Sequence, residues 1–426
     1  MDIRPTQPGE RTLSGLDYLI LWAGVAISLA EIWAGGFLAP MGFWMGLWAI
    51  LLGHVIGNSL MALGGVIGSD HGIMSMVSLR PAFGIRGSGI AAVFNIIQLV
   101  GWHSIMLIIG ARAGAMIGGP FGGVVAATQF WVILIGAGTL LWALYTGKRV
   151  WKVLQTVTMT ALVLVVAAMT VVSFRELVPA AAAASGDMPF MTGLDLVIAM
   201  PISWMPLVAD YSRMSKRTSP AFWNTWWGYF IVSSWMYALG LAATLVTGAT
   251  DPGFVILQTM GKIGMAVPAL IMVIFSTITS DFPDIYSAAC SVMNISDRIR
   301  PKALMWIAGI LSIIVALIFP IDQYENFLLL IGAMFVPLFG VVLTDYFVIR
   351  RRRFDVEELY REGGAYWYCR GFHVAAIAAW GAGFAVFEAI SRCQYPVGGS
   401  IPSMAAAGLL YWLICGIKKG GRRAAL

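Results

Sequence analysis

The sequence predicts an all-α polytopic membrane protein with about twelve transmembrane helices. Of its 426 residues, 59% are hydrophobic and only 11% are charged, whereas soluble globular proteins carry roughly 25% charged residues. Apolar runs of about 18 residues or more recur along the whole chain, and each is long enough to cross a bilayer as a helix. Together these observations exclude a water-soluble enzyme, a nucleic-acid-binding protein, a disulfide scaffold and a disordered chain.

The apolar runs divide the chain into twelve predicted spans. They follow a polar segment, residues 1–14, which lacks a signal-peptide cleavage site and is interpreted as a cytoplasmic tail before an uncleaved first span. The predicted spans 1 to 12 cover residues 15–38, 43–66, 88–116, 122–146, 151–174, 192–212, 221–248, 263–291, 303–320, 324–349, 371–391 and 402–418.

Basic residues are concentrated in alternate loops between these spans. If the N-terminal tail is cytoplasmic, all but four of the 27 lysines and arginines fall on the cytoplasmic side. The four exceptions are Arg112, Arg175, Lys262 and Arg392. Because cytoplasmic loops of membrane proteins are enriched in Lys and Arg, the pattern predicts that both termini are cytoplasmic.

The short loops leave no room for a soluble catalytic domain. The four histidines do not form an HExxH motif, no G-x-x-x-x-G-K-[ST] sequence is present, and the four cysteines lack CxxC spacing. We therefore expect neither an enzyme nor an ATPase, no metal-binding or redox cysteine pair, and no cofactor. A transporter or a channel remains; a membrane sensor would need a signalling domain that the sequence does not show.

Two predicted spans contain residues that interrupt helices. Span 6 carries Pro201 and Pro206, which cannot both lie in an unbroken helix without removing hydrogen bonds. Five spans earlier, span 1 has small residues over 23–30, followed by Glu31. Secondary transporters place interrupted helices at corresponding positions of two repeats. The pattern therefore predicts a five-plus-five repeat with spans 11 and 12 outside it.

Buried polar residues mark candidate sites within the spans. Glu31, Asp281 and Asp284 lie deepest, and carboxylates in a bilayer are functional candidates by default. Acids nearer the helix ends, such as Asp195 and Asp345, are interpreted as structural. Three hydroxyls in span 8 share one helix face, which suits a hard cation such as Na⁺; alternatively, they bond to their own helix. These hydroxyls are Ser276, Thr279 and Ser280.

Two tryptophans could stack on a flat ligand. Trp102 lies mid-span beside His103 and close to Gln98, and Trp204 lies between the two prolines of span 6. Most other tryptophans are attributed to packing or to the membrane interface.

Several segments resemble the nucleobase:cation symporter family, which includes cytosine permeases and transporters of hydantoin, allantoin and uracil. The resemblance covers about residues 15–353 and is greatest to hydroxymethylpyrimidine (thiamine-precursor) transporters. The segments are Arg80-Pro-Ala-Phe-Gly84, Gly101-Trp102, Ser203-Trp204, Asp210-Tyr-Ser-Arg213, Asp284-Ile-Tyr-Ser287 and Asp345-Tyr-Phe-Val-Ile-Arg-Arg351.

The resemblance implies a LeuT-type fold. Its ten-helix transport core would occupy residues 15–350, with inverted five-helix repeats at about 15–174 and 192–350. Residues 351–426 would form a cytoplasmic loop, two peripheral helices and a basic tail. Transport would follow alternating access, with spans 1, 2, 6 and 7 rocking against spans 3, 4, 8 and 9.

The resemblance also implies a substrate site and a cation site. The ring would lie between Trp102 and Trp204, near Ser203, Glu31 and Gln98; Asp284 replaces or adjoins a family asparagine, and Met106 replaces a family glutamine. An ionised Asp284 would only accept hydrogen bonds, which favours an aminopyrimidine. Na⁺ or H⁺ would be the coupling ion. The implied cation ligands are Ala26, Leu29, Ser276, Thr279 and Ser280.

The sequence hypothesis is therefore a secondary transporter of the cell membrane that imports a planar pyrimidine by cation symport. Hydroxymethylpyrimidine or a cytosine-like nucleobase is the expected substrate. The alternatives are a channel or facilitator for small polar solutes, or transport of a purine or hydantoin. The expected partners are the substrate and the lipid bilayer, with neither nucleic acid nor an obligatory protein partner.

Overall fold

A computed structural model describes residues 4–145, 148–181, 186–296, 299–393 and 397–423. Within these ranges the chain is almost entirely helical, and the only β-type pairings are the isolated bridges Leu13–Ser215 and Cys369–Phe372. The four cysteines are not joined in disulfides. The predicted all-α fold class is confirmed.

The described residues form ten helices that are long and apolar enough to cross a membrane, and an eleventh span is a bent pair. A shorter apolar helix supplies the twelfth predicted span. In order, spans 1 to 12 are Gly15–Ala26 with Leu29–Gly36, Phe43–His71, Gly87–Gly118, Thr128–Tyr145, Lys148–Ala181, Phe190–Ser203 with Met205–Ser212, Thr218–Thr247, Ala266–Ser280 with Phe282–Ile295, Pro301–Ile318, Tyr324–Leu343 continued by Thr344–Ile349, Val374–Arg392 and Ser400–Arg423.

Three spans are interrupted. Span 1 bends by 57° after Ala26, where Ser28 caps the second half by accepting a hydrogen bond from the Ala30 N–H at 3.2 Å. Span 6 breaks at Trp204 and span 8 at Asp281. The interruptions of spans 1 and 6 agree with the sequence analysis, which gives span 8 as residues 263–291 without anticipating its break.

A proline accounts for the second half of both span 6 and span 8. Pro206 and Pro283 each lie in the first turn of the second half, where the missing N–H of proline costs least. The sequence analysis also missed short helices in two loops. These are Ser75–Ser78, Arg80–Phe83 and Pro252–Gly261.

Glycines bring spans 1, 2, 6 and 7 into backbone contact. A methyl group on Gly35 would overlap the Tyr237 backbone of span 7, and one on Gly240 would overlap the Ile32 carbonyl of span 1. Gly57 of span 2 likewise leaves no room for a side chain beside Pro201 of span 6. Small residues allow such close approach of membrane helices, so these four spans pack as one bundle.

Two carboxylates fasten span 12 to the core. Asp195 of span 6 accepts hydrogen bonds from the Gly399 and Ser400 N–H groups at 2.5 and 3.0 Å. Near the middle of span 12, the Tyr411 hydroxyl donates to Asp345 at 2.8 Å. Both acids are buried, and their structural interpretation is confirmed.

Candidate functional site

Span 3 presents Gln98, Trp102 and Met106 as a stripe along one helix face, because residues four apart lie above one another. All three side chains are buried, with exposed fractions of 3%, 9% and 8%. The two ends of this stripe touch the breaks of two other spans.

Gln98 contacts the break in span 6. Its Nε2 donates to the Ser203 carbonyl at 2.8 Å and to Asn95 Oδ1 at 2.9 Å. At the break, the Leu207 N–H bonds to the Trp204 carbonyl instead of Ser203, so the Ser203 carbonyl needs another donor. Because a carbonyl only accepts, the Gln98 amide is fixed with Oε1 pointing elsewhere, and this buried atom has no partner among the described residues.

Met106 contacts the break in span 1. The Ser28 hydroxyl donates to Met106 Sδ at 3.9 Å, and Ser28 is also the cap of the second half of span 1. The stripe on span 3 therefore links the two interrupted helices that the sequence places five spans apart.

Both candidate stacking tryptophans lie inside the protein. The Trp102 ring contacts Tyr324 and Phe327 edge-on, with centroids 5.9 and 5.4 Å away. Trp204 is half-buried and contacts Trp22 edge-on at 6.0 Å. No ring contact joins Trp102 to Trp204 in the described part of the chain, so each indole is held by other aromatics.

A His–Asp pair lies at the break in span 8. His103 Nδ1 is 3.4 Å from Asp281 Oδ2, and the two side chains are 1% and 5% exposed. Within the described ranges, both His103 nitrogens and Asp281 Oδ2 lack a hydrogen-bond partner. The sequence analysis did not include His103 among the site residues, although its position next to Trp102 was a usable signal.

Glu31 lies between spans 1, 2 and 7. The Tyr229 hydroxyl donates to Glu31 Oε1 at 2.7 Å, and Ser233 lies beside the same carboxyl group. Ser233 Oγ is also 2.6 Å from His54 Nε2. Because His54 Nδ1 is 2.9 Å from the Ile50 carbonyl, which only accepts, Nδ1 carries the proton and Nε2 accepts from Ser233.

The predicted cation ligands lie at the breaks of spans 1 and 8. Ala26 and Leu29 are buried on either side of the bend in span 1, and Ser276 and Thr279 are buried in the first half of span 8. The Thr279 hydroxyl donates to the Phe275 carbonyl at 2.9 Å, as in the alternative interpretation, yet its oxygen still has lone pairs. The Ser280 side chain lies outside the described residues. Asp284 is half-buried in the first turn after the break.

A family described as "Permease for cytosine/purines, uracil, thiamine, allantoin" matches residues 5–414 of the chain. The chain belongs to this family of permeases. The predicted membership of the nucleobase:cation symporter family is thereby confirmed, and so is the conclusion that the protein is a transporter and not an enzyme.

The permease is similar to characterised relatives over different shares of its length. It is 26% identical to the hydantoin permease of Microbacterium maritypicum, covering 74% of this chain and 68% of the relative. It is 27% identical to the cytosine permease of Escherichia coli (strain K12) over 38% of each chain.

Two solved structures of Mhp1 share the fold of the permease. The inward-facing structure has 22% sequence identity and a TM-score of 0.84, covering 98% of this chain and 93% of Mhp1. The closed structure, with bromovinylhydantoin bound, has a TM-score of 0.79, covering 96% and 93% of the chains. The predicted LeuT-type fold is confirmed.

A hydrogen-bond network surrounds Asp70, Arg80, Asp210 and Asp345, in the region that we call the basic end of the permease. The sequence analysis did not anticipate this network. Asp210 accepts from the Ser75 N–H at 2.8 Å, while Ser75 Oγ accepts from the N–H groups of Ala209 and Asp210. These bonds fix the loop between spans 2 and 3 against the end of span 6. Both partners were visible in the sequence, but their separation of 135 residues concealed the contact.

Arg80 fastens the same loop to other elements. Its guanidinium donates to Asn294 Oδ1 of span 8 and to the Leu359 carbonyl, both at 2.8 Å. Burial lowers the pKa of Arg80 from its usual range, and the neighbouring Tyr360 ring, 5.3 Å away, favours the charged form.

Asp70, at the end of span 2, joins three elements. It accepts from the Tyr346 hydroxyl at 2.6 Å, from Thr218 at 2.7 Å and from Arg352 at 2.8 Å. These hydrogen bonds raise the pKa of Arg352 above its ordinary value. Burial alone would lower the pKa of Arg350, but the neighbouring Asp345 carboxylate raises it.

Proposed function

We propose that the permease imports a planar pyrimidine, either cytosine or hydroxymethylpyrimidine, together with Na⁺ or H⁺. The observation that carries this proposal is the stripe on span 3, whose ends contact the breaks of span 1 and span 6. Helix breaks expose backbone groups that can bind ions and polar substrate atoms at mid-membrane.

Trp102 and Trp204 would stack on the two faces of the ring. A flat aromatic ring offers a π-face that an indole covers over a large area. Trp102 follows Gln98 by one helical turn and Trp204 follows Ser203 directly, so the Gln98–Ser203 hydrogen bond sets the register between the two indoles.

The polar groups near the stripe favour a ring that donates hydrogen bonds. Both Nε2 hydrogens of Gln98 are engaged by Ser203 and Asn95. Gln98 can therefore offer a substrate only its Oε1 atom, which accepts hydrogen bonds. An ionised Asp284 also only accepts. Ring N–H and exocyclic amino groups, as in cytosine or an aminopyrimidine, match these acceptors. Ser203, Met106 and Glu31 would complete the substrate-binding surroundings.

The coupling ion would lie between the breaks of spans 1 and 8. Carbonyls of Ala26 and Leu29 and hydroxyls of Ser276, Thr279 and Ser280 are oxygen ligands of the kind that Na⁺ prefers. Coupling requires that cation and substrate stabilise the same state, so that each raises the affinity for the other. Spans 1, 2, 6 and 7 would then rock as a bundle against spans 3, 4, 8 and 9.

Uptake by proteoliposomes tests this function. Labelled cytosine and hydroxymethylpyrimidine are supplied under a Na⁺ gradient alone and under a pH gradient alone, with hydantoin and a purine as competitors. We expect accumulation of one pyrimidine above its external concentration under one of the gradients. Equilibration without accumulation would indicate a facilitator, and preferential inhibition by hydantoin would move the substrate to the class bound by Mhp1.

We also propose that both termini are cytoplasmic, with the transport core at 15–350 and the peripheral region at 351–426. Two native cysteines test the orientation, because Cys369 and Cys393 are exposed on the two sides of span 11. A membrane-impermeant maleimide applied to intact cells should label Cys393 and spare Cys369. The opposite pattern would reverse the orientation.

A further inference from the structure

Span 12 packs against span 10 and is also held to the core by two buried carboxylates. Asp195 holds its N-terminal end and Asp345 holds it at Tyr411, as described above. Between these anchors lies an open groove of about 750 Å³, walled by spans 2, 6, 10 and 12. Because both anchors are buried and hydrogen-bonded, the groove is a built feature and not the result of a loosely attached helix.

The groove is apolar and has the length of one bilayer leaflet. Its lining runs along span 12 from Ser400 to Trp412, a distance of about 18 Å at roughly 1.5 Å per helical residue. The hydrocarbon core of a bilayer is about 30 Å thick, so each leaflet contributes about 15 Å. A single acyl chain entering from one leaflet therefore matches the groove, whereas a chain crossing both leaflets does not.

Free positive charge lies close to one end of the groove. Val348 of span 10 lines the groove, and four arginines, 350–353, follow it in the sequence. Arg350 and Arg352 are bound to Asp345 and Asp70. Arg351 and Arg353 are exposed and have no ion pair or side-chain hydrogen bond in the described structure.

The backbone at these arginines is unusual. Arg351 and Arg352 have φ angles of 52° and 63°, in the left-handed region that non-glycine residues seldom adopt. The bonds of Arg352 to Asp70 hold this conformation. The turn is therefore fixed by the fold, and the arginines alternate between bound and free side chains.

We infer that the groove binds one acyl chain of an anionic phospholipid, whose headgroup phosphate pairs with Arg351 and Arg353. Apolar lining accounts for the chain, and the two unpaired guanidinium groups account for the charge of the headgroup.

The bound lipid would contact a part of the protein that moves during transport. Ile198 of span 6 and Leu60 of span 2 line the groove, and both belong to the four-span bundle. Ile198 lies less than two helical turns before the break at Trp204. The site is independent of which substrate and which ion the permease carries.

Lipid retention measured by native mass spectrometry tests the inference on the purified full-length permease. Phosphatidylglycerol and phosphatidylcholine with identical acyl chains are added separately, so that only the headgroup differs. We expect the wild-type protein to retain phosphatidylglycerol with about thirtyfold higher affinity, as two surface arginines would provide. Equal retention of the two lipids would overturn the headgroup assignment.

Two variant pairs locate the site. Ala405→Trp should fill the groove and abolish retention of both lipids, whereas Leu413→Trp, an exposed position of span 12 outside the groove, should retain them. Combined Arg351→Gln and Arg353→Gln should remove the preference for phosphatidylglycerol, and Arg361→Gln should keep it. Thermal melting of each variant checks folding. Unchanged lipid retention by Ala405→Trp would refute a lipid site. A wild-type dimer that is absent from the spectrum of Ala405→Trp would also refute it, because a second copy of the chain would then occupy the groove.

Discussion

Buried carboxylates at the centre of the permease accept fewer hydrogen bonds than those at its basic end. At the basic end, Asp70 and Asp345 accept hydrogen bonds from several side chains at once. At the centre, single polar atoms of Glu31, Gln98 and Asp281 lack partners among the described residues. Because buried polar groups are normally satisfied, we propose that the central groups are available to a substrate, an ion or a proton, whereas those at the basic end stabilise the fold.

The largest expected effect is on the central tryptophans. Trp102→Ala and Trp204→Ala should each weaken substrate binding by about 10- to 100-fold, because stacking on an aromatic side chain contributes roughly 1–3 kcal/mol per base. The measurement is the half-saturating concentration for uptake. Trp44→Ala is the matched control, since this tryptophan is 69% exposed to lipid and should leave uptake unchanged. Near-normal affinity in both central variants would refute the stacking site.

The second prediction concerns the basic end. Asp70→Ala should lower the free energy of unfolding by about 2 kcal/mol, because Tyr346, Thr218 and Arg352 lose their shared acceptor. Thermal melting in detergent measures the loss, and substrate affinity of the folded fraction should not change. A lower substrate affinity with an unchanged melting temperature would show that Asp70 acts in transport and does not mainly stabilise the fold.

The third prediction returns to the centre. Thr279→Ala should raise the Na⁺ concentration for half-maximal uptake by roughly fivefold, because the proposed cation site would lose one oxygen ligand. Thr277→Ala is the control, since Thr277 makes the same kind of hydrogen bond, to the Val273 carbonyl, but is not one of the proposed cation ligands. Uptake that is indifferent to Na⁺ but follows a pH gradient would transfer the coupling role to the carboxylates.

The smallest effect is expected for a half-buried carboxylate with an exposed partner. Glu388 pairs with Arg392 on span 11 at 3.3 Å, and the arginine side chain is 81% exposed. Glu388→Gln should change the free energy of unfolding by less than about 0.5 kcal/mol. Thermal melting measures this change. If Glu388→Gln lowered the free energy of unfolding as much as Asp70→Ala, the number of hydrogen bonds that a carboxylate accepts would not determine its contribution to stability.

The sequence predicted the spans and two of the three breaks, because these depend on local composition. Apolar length fixed the spans, and Pro206 marked the second half of span 6. Pro283 carries the same signal in span 8, but the sequence analysis used only the prolines of span 6 to place a break. The proline that marks the third break was therefore visible in the sequence but was not used.

The hydrogen-bond and ion-pair partners of the polar residues could not be predicted from local sequence patterns. Neither the pairing of His103 with Asp281 nor that of Asp210 with Ser75 follows from spacing along one helix, since each pair joins different spans or loops. Gln98 was expected near the substrate, yet its contact with the Ser203 carbonyl depends on where span 6 unwinds. Only the packed structure identifies which atoms remain unsatisfied.

The glycine contacts described for spans 1, 2, 6 and 7 restrict how this permease can diversify. A side chain added at Gly35 or Gly240 would overlap the backbone of the neighbouring span, and one added at Gly57 would overlap the Pro201 ring, so these glycines cannot be replaced by larger residues. Under the proposed function, new selectivity would therefore arise on the face of span 3, where side chains contact the helix breaks. Libraries that randomise Gln98 and Met106 should yield folded variants far more often than libraries that randomise Gly35, Gly57 and Gly240.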